Sequence, residues 1–429
     1  MKVSNIPSSR FKFAFSLLIV AAGITYYFSN PKPQYYYDYT FRVASNILQG
    51  GIGIAEEPPI WLNEFVPYDG LFYSVFPLGS VITMVPFAFL KMSGLVKSMP
   101  AAFLVALSAG LILKFLLLIS KRYELTYQRR ILMTLGILFG TWMWTNLTLA
   151  GSWQLALGFA MLGELGAVYF TVYDRRPMLA GLFFALAFGN RTEILLTAPI
   201  FFYLPMREDF HHRDAETQSS RVSEPRAVAT GFFHSIFRNP QSAFRFLTAF
   251  CVFPFILGVA TLAYNYIRFD SFTDFGYARI PGVLDEPWYY HGIFSIYYIT
   301  GQIWEMLLRP WEFRSVFPYI VPDGFSSSIL LSSPFLLFAF RLGARDKLLK
   351  YAAWLAIFLL TCLLWTHGNS GGWQFGYRYA MVLLPWLFVI LLETAPKKIT
   401  RLEWAAYIFS FAANAYATWL FHWTNYVKQ

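Results

Sequence analysis

"FPLGSVITMVPFAFLKM", residues 76–92, decides how this chain is arranged. Only 13 residues separate Pro77 from Lys91, and Pro86 interrupts them. A helix that crosses the hydrocarbon of a bilayer needs about 20 apolar residues. The stretch is short for that and suits a helix lying at the membrane interface. Its reading matters because counting it as a span would move every later loop to the other side.

Working outward, apolar runs recur at roughly 12–29, 99–120, 131–149, 153–172, 178–190, 193–206, 246–266, 327–340, 351–366, 379–393 and 402–421. They predict about 11 transmembrane helices, with the pair in 178–206 short enough for a hairpin that does not fully cross. Basic residues test the choice. With 76–92 at the interface, the N-terminus, 121–130, 174–177, 207–245, 341–350 and 394–401 share one side and hold 22 of the 34 Lys and Arg residues. That side is cytosolic by the positive-inside rule. Making 76–92 a span would put most of those charges outside.

Composition agrees. Of 429 residues, 57% are hydrophobic and 14% charged, where soluble domains carry about 25% charged residues; mean hydropathy is +0.46. The expected class is an all-α polytopic membrane protein with juxtamembrane helices in its first outer loop. The net charge of +10 sits in short loops between spans, so it reports topology and not nucleic-acid binding. Lys2, Arg10 and Lys12 precede the first apolar run, and the "YYFSNPKP" after it offers no small-residue cleavage site. The first run is therefore an uncleaved span. Cys251 and Cys362 lie in apolar runs and imply no disulfide framework.

The organisation expected is one integral membrane domain, 1–429. A helical module, 12–206, includes the outer loop 30–98. The polar cytosolic loop 207–245 is expected to be mobile. The C-terminal helices, 246–429, carry outer loops 267–326 and 367–378. The N-terminus is cytosolic, the C-terminus extracytoplasmic, and a bacterial inner membrane is the expected location.

Candidate chemistry gathers in the outer segments 30–98, 150–153, 267–326 and 367–378. In "QYYYDYTFRVASNILQGG", 34–51, Asp38 stands among five aromatic residues just beyond the first span. Phe41, Ala44, Ile47 and Leu48 follow at helical spacing. Asp38 is either the N-cap of that helix or a carboxylate whose partial desolvation makes it a proton acceptor. Glu56, Glu57, Glu64 and Asp69 follow; Asp69–Gly70 is a strong turn signal. "GNRTEILLTAP", 189–199, places Arg191 and Glu193 at an outer helix end, as a phosphate-gripping guanidinium or as a local ion pair. "WTHGNSGGWQFGYRYAMVLLP", 365–385, brings His367, Trp373, Gln374, Tyr377 and Arg378 to the mouth of a span. Those types suit stacking on sugar and binding of phosphate, and they equally suit an aromatic belt with a snorkelling arginine. For His367, acid, base and interfacial roles stay open. Glu164 and Lys114 are charges within spans; Lys114 is close enough to the cytosolic end to snorkel.

At these residues the chain resembles the GT-C superfamily of membrane glycosyltransferases, the polyprenyl-phosphate-sugar-dependent group that includes protein mannosyltransferases and aminoarabinose transferases. The resemblance rests on Asp38 after span one, "DGLFYSVFPLG" (69–79), "RTE" (191–193) and "GWQFGYRY" (372–379), and runs over most of 12–393. It implies an extracytoplasmic cavity that a lipid-linked sugar enters laterally. It also implies a first-loop acid acting as catalytic base on an acceptor hydroxyl of a glycan, lipid or protein. Asp38 is the expected base; Arg191 and Arg378 are expected to hold the phosphate, and Trp373, Tyr377 and the Tyr35–Tyr39 cluster the sugar. Glu64, Asp69, Glu193, His367 and Gln374 join them as substrate-binding candidates. "TLAGSWQ", 148–154, has no acid where many members carry a second one. No cofactor is certain from the sequence; a divalent metal held by Asp38 with Glu64 or Asp69 stays open. A transporter or flippase of a lipid-linked sugar is the alternative; it would call for broken helices near the midplane and internal pseudo-symmetry, and no repeat is found.

Overall fold

The computed structural model describes residues 8–206 and 240–427; most of the loop 207–245 lies outside the described residues. The chain is mostly helical. It runs α1 (Ser8–Ser29), α2 (Tyr39–Ile47), β1 (Phe65–Tyr68), β2 (Leu71–Ser74), α3 (Leu78–Met92), α4 (Ala101–Ser120), α5 (Tyr127–Phe139), α6 (Met143–Leu149), α7 (Ser152–Val168), α8 (Pro177–Asn190) and α9 (Ala198–Met206). After the undescribed segment come α10 (Pro240–Phe269), α11 (Ile299–Ile303), β3 (Glu312–Phe313), β4 (Ile320–Val321), α12 (Ile329–Ser332), α13 (Lys347–Thr366), α14 (Leu384–Thr394) and α15 (Arg401–Trp423).

Among the described residues, four helices are long and apolar enough to cross a membrane: Ala101–Ser120, Ser152–Tyr173, Phe244–Phe269 and Lys347–Thr366. The bent pair α5–α6 makes a fifth if counted as one span, with an angle of 47° between its halves. Its break falls at Gly140–Thr141, where the Thr141 hydroxyl donates to the Ile137 carbonyl at 2.6 Å and competes with the helix ladder. Other apolar runs are less regular than expected. Residues 327–340 split into α12 and the 3₁₀ turn Pro334–Phe340, and 379–393 into the 3₁₀ turn Arg378–Leu383 and α14. The Ser333–Pro334 and Leu384–Pro385 steps lie at these changes, where proline cannot donate to the ladder.

The stretch 76–92 does form one helix, α3, with Pro86 inside it. It lies against α2, α8 and α10. Its contact with α8 is backbone on backbone: a Cβ on Gly79 would collide with Gly189. Small residues let helices approach this closely. Helix α7 is buried nearly all round, its face toward α8 set by Gly163, whose Cβ would lie 2.5 Å from the Ala187 nitrogen. The apolar α10, by contrast, is left largely uncovered by the rest of the chain, as suits a lipid-facing helix.

The two groups of loops separated by charge lie in separate polar networks. In the group read as cytosolic, Arg129 (121–130) donates twice to Glu403 on α15, at 2.7 and 3.0 Å. Arg341 (341–350) donates to the same carboxylate at 2.8 Å. Arg345 donates to the Ala395 carbonyl at 2.9 Å. Thr400 and Glu403 close a reciprocal capping box at the start of α15. In the other group, Asp69 and Gly70 have φ of 47° and 74°, the two left-handed residues a tight hairpin requires. They join β1 to β2, with Tyr68 opposite Leu71. This small hairpin departs from an all-helical expectation. It docks on the end of α10, where buried Arg268 donates to the Ser74 carbonyl and Phe269 packs edge-on against Tyr68 and Tyr73.

Candidate functional site

The four segments that charge assigns to the outer side meet at one cavity of about 400 Å³. Gln34, Tyr37 and Glu64 come from the first, and Trp153 and Gln154 from the α6–α7 tip. Tyr277 and Glu286 come from the third, and Asn369, Trp373, Arg378 and Tyr379 from the fourth. The backbone explains the meeting. The Gln34 N–H donates to the Leu149 carbonyl at 2.8 Å and the Ser152 N–H to the Tyr37 carbonyl at 2.9 Å. These bonds stitch the start of the first loop to the tip and bring the Tyr37 and Trp153 rings to 5.1 Å.

Two carboxyls, Glu64 and Glu286, line this cavity, and Glu64 is the one that Trp153 holds. It lies immediately before β1, and its carbonyl accepts from the Val75 N–H, extending the hairpin ladder. The Trp153 indole N–H donates to Glu64 Oε2 at 2.8 Å. Burial pushes the Glu64 carboxyl up to about 7, against the pull of the indole bond and the Arg378 charge. A carboxyl poised there exchanges protons near neutral pH.

Arg378 is the cation. It is 7% exposed, and its Nε has no hydrogen-bond partner. Its guanidinium carbon lies 5.1 Å from the Tyr379 ring centre and 5.9 Å from that of Trp153, and Nη2 donates to the Tyr379 hydroxyl at 3.3 Å. Among the described residues no carboxylate forms an ion pair with it. A buried guanidinium with a spare donor and no counter-ion is a ready anion site. Gln154, 2% exposed, adds an unpartnered Oε1. The cavity thus offers two carboxyls, a guanidinium that forms no ion pair among the described residues, carboxamides and aromatic faces in one volume.

The loop carrying Arg378 is braced from behind. Gln374 Oε1 accepts from the Arg378 N–H at 2.7 Å, and its Nε2 donates to Ser370 O at 2.9 Å and to Phe325 O. Asn146 clasps Phe375, donating to its carbonyl at 2.6 Å and accepting its N–H at 3.2 Å. Tyr377 is fully buried, its hydroxyl on Gln302 Oε1 at 2.8 Å.

Several expected residues therefore stand elsewhere. Asp38 holds the N-cap position of α2 but makes no cap bond with its side chain. Its carboxylate pairs with Arg42 one turn on, at 3.2 Å. It does not line the cavity; burial raises its carboxyl, with Arg42 opposing. Asp69 is spent on the hairpin turn and exposed. Arg191 pairs with Glu193 at 2.7 Å and lies 4.8 Å from the Tyr379 ring centre, without lining the cavity itself. His367 is packed among Tyr277, Tyr289, Phe294 and Tyr379, with Nδ1 on Asn369 O at 2.7 Å, and burial lowers its pKa. Gln374 and Tyr377 are braces, not contacts. Of the expected set, Tyr37, Glu64, Trp373 and Arg378 reach the cavity. Asp38, Glu64 and Asp69 do not gather, and among the described residues no three His, Cys, Asp or Glu side chains cluster to hold a metal ion.

Trp153, Gln154, Tyr277 and Glu286 were not singled out by sequence. Trp153 and Gln154 sit in "TLAGSWQ", the stretch conspicuous only for lacking an acid; what it supplies instead is the indole that holds Glu64. Within spans, Glu164 is fully buried and accepts from the Trp386 indole at 3.0 Å. No family model, curated protein or solved structure matches the chain.

Proposed function

We propose that this chain is a membrane glycosyltransferase of GT-C type, with about eleven membrane-embedded segments, and that it works on the extracytoplasmic face of a bacterial inner membrane. It moves a sugar from a polyprenyl-phosphate-linked donor to an acceptor hydroxyl. The observation that carries this reading is the pairing, in one cavity built by the four outer segments, of a carboxyl near pKa 7 with a buried guanidinium that forms no ion pair among the described residues.

Glu64 takes the role expected of Asp38, because Asp38 is engaged with Arg42 outside the cavity. The Glu64 carboxylate accepts the proton of the acceptor hydroxyl as that oxygen bonds to the anomeric carbon. The bond from that carbon to the phosphate oxygen breaks, and its electron pair leaves on the phosphate, whose charge Arg378 meets. Proton acceptance of this kind contributes roughly 10²–10⁴-fold in rate, and a fixed donor in a dry site stabilises the leaving charge. Direct displacement inverts the anomeric centre. Tyr37, Trp373 and Tyr379 offer faces to the sugar, and the asparagine and glutamine side chains bond its hydroxyls.

The test is mass spectrometry of glycolipids, glycans and glycoproteins from a deletion strain, complemented with wild type, Glu64→Gln or Arg378→Ala. Loss of one glycosylated species, restored by wild type alone, is expected. Accumulation of lipid-linked sugar confined to the cytosolic leaflet would instead identify a flippase, and an unchanged profile removes both readings.

A further inference from the structure

The Trp153 indole stands between the Glu64 carboxyl and the Arg378 guanidinium of the cavity. Its N–H caps Glu64 Oε2 at 2.8 Å, and its ring lies 5.9 Å from the Arg378 guanidinium. The ring itself is held by Tyr37 at 5.1 Å, Tyr39 at 5.0 Å and Phe76 at 6.1 Å, and by the backbone at the first turn of α7. We infer that Trp153 is the positioning residue of the cavity, fixing the Glu64 carboxylate through Oε2 so that Oε1 is the oxygen presented to a bound hydroxyl. This rests on the transferase reading for its catalytic consequence, but not for the contact itself.

The chemistry follows from the two oxygens. A carboxylate held by one oxygen has its rotation restricted and leaves the lone pairs of the other oxygen for an incoming proton. An indole donates but cannot accept, so it bonds the charged form and leaves the proton to Oε1. A phenylalanine at 153 keeps the ring packing and removes only the donor. Losing a hydrogen bond to a charged group raises a carboxyl by about one unit.

Two measurements decide it. In wild-type protein, the indole ¹⁵N–¹H signal that moves in Glu64→Gln is followed from pH 5 to 9. It is expected to titrate with a midpoint near 7 and to stop titrating in Glu64→Gln. Separately, the pH dependence of transfer is measured in Trp153→Phe. Its lower limb is expected to move up by about one unit, with kcat at pH 7 down about fivefold and donor KM unchanged. A titrating indole with no transferase activity keeps the contact and rejects the transferase. An indole indifferent to Glu64, or a Trp153→Phe pH profile superposable on wild type, overturns the positioning role.

Discussion

Gln374 Oε1 accepts the backbone N–H of Arg378 at 2.7 Å, so a side chain outside the cavity sets where the unpaired guanidinium lies. Gln374→Ala leaves that N–H and two carbonyls unbonded in a buried loop. A loss of about 1–3 kcal/mol is expected. The thermal midpoint in detergent should fall, and donor KM should rise because Arg378 shifts. A variant as stable as wild type would show that the brace is idle.

Glu64 links stability to pH. Its ordinary value is 4.5 and its folded value about 7, so the folded state prefers the protonated form. Stability from this group is complete below about 4.5 and is lost as pH rises through 7. Glu64→Gln never ionises. It should be more stable than wild type above pH 7, by about 3 kcal/mol at most, and the difference should close on acidification. Paired melting curves from pH 4 to 9 check the sign.

Asp38 and Glu64 part company under substitution. Asp38→Asn removes an ion pair with Arg42 but nothing that lines the cavity, and transfer should stay within about threefold of wild type. Glu64→Gln should cost on the order of 10²–10⁴-fold. Rates measured side by side at equal expression decide which acid carries the proton.

Two buried arginines invite opposite outcomes. Removing Arg378 strands no carboxylate, so Arg378→Ala should unfold within about 1 kcal/mol of wild type while donor binding collapses. Arg378→Lys keeps the charge without the planar fork and should recover only part of the binding. Glu403, in contrast, serves Arg129 and Arg341. Glu403→Ala leaves Arg129 uncompensated and should cost about 3–5 kcal/mol, read as a lowered melting point or lost expression.

Much of this was legible from residue order. The spacing of Phe41 and Ala44 located α2, Pro77 and Lys91 bracketed α3, and Asp69–Gly70 marked its turn. Basic residues grouped 121–130, 341–350 and 394–401, and these three meet in one polar network. What stayed hidden depends on packing. Whether Asp38 or Glu64 faces the cavity is set by the hairpin docking on α10, far away in sequence. Tyr377 and Tyr379 look alike in "GYRY", yet the extended backbone at Tyr377, φ −135° and ψ 94°, and the turn after it send one into the core and the other to the wall. Tyr277 lies in a short 3₁₀ turn and Glu286 between two others, with no periodicity to read. The eleven apolar runs overstated regular helix because composition does not register where α gives way to 3₁₀.

The backbone touch between Gly79 and Gly189 has a mechanical meaning. With no side chain between them to slide or rotate, α3 is clamped to α8, and the chain leading into it from Glu64 and the hairpin is anchored at that end. The acid thus stands on a rigid mount instead of riding on a flap. Widening either glycine to alanine would pry that mount loose before it touched any group in the cavity.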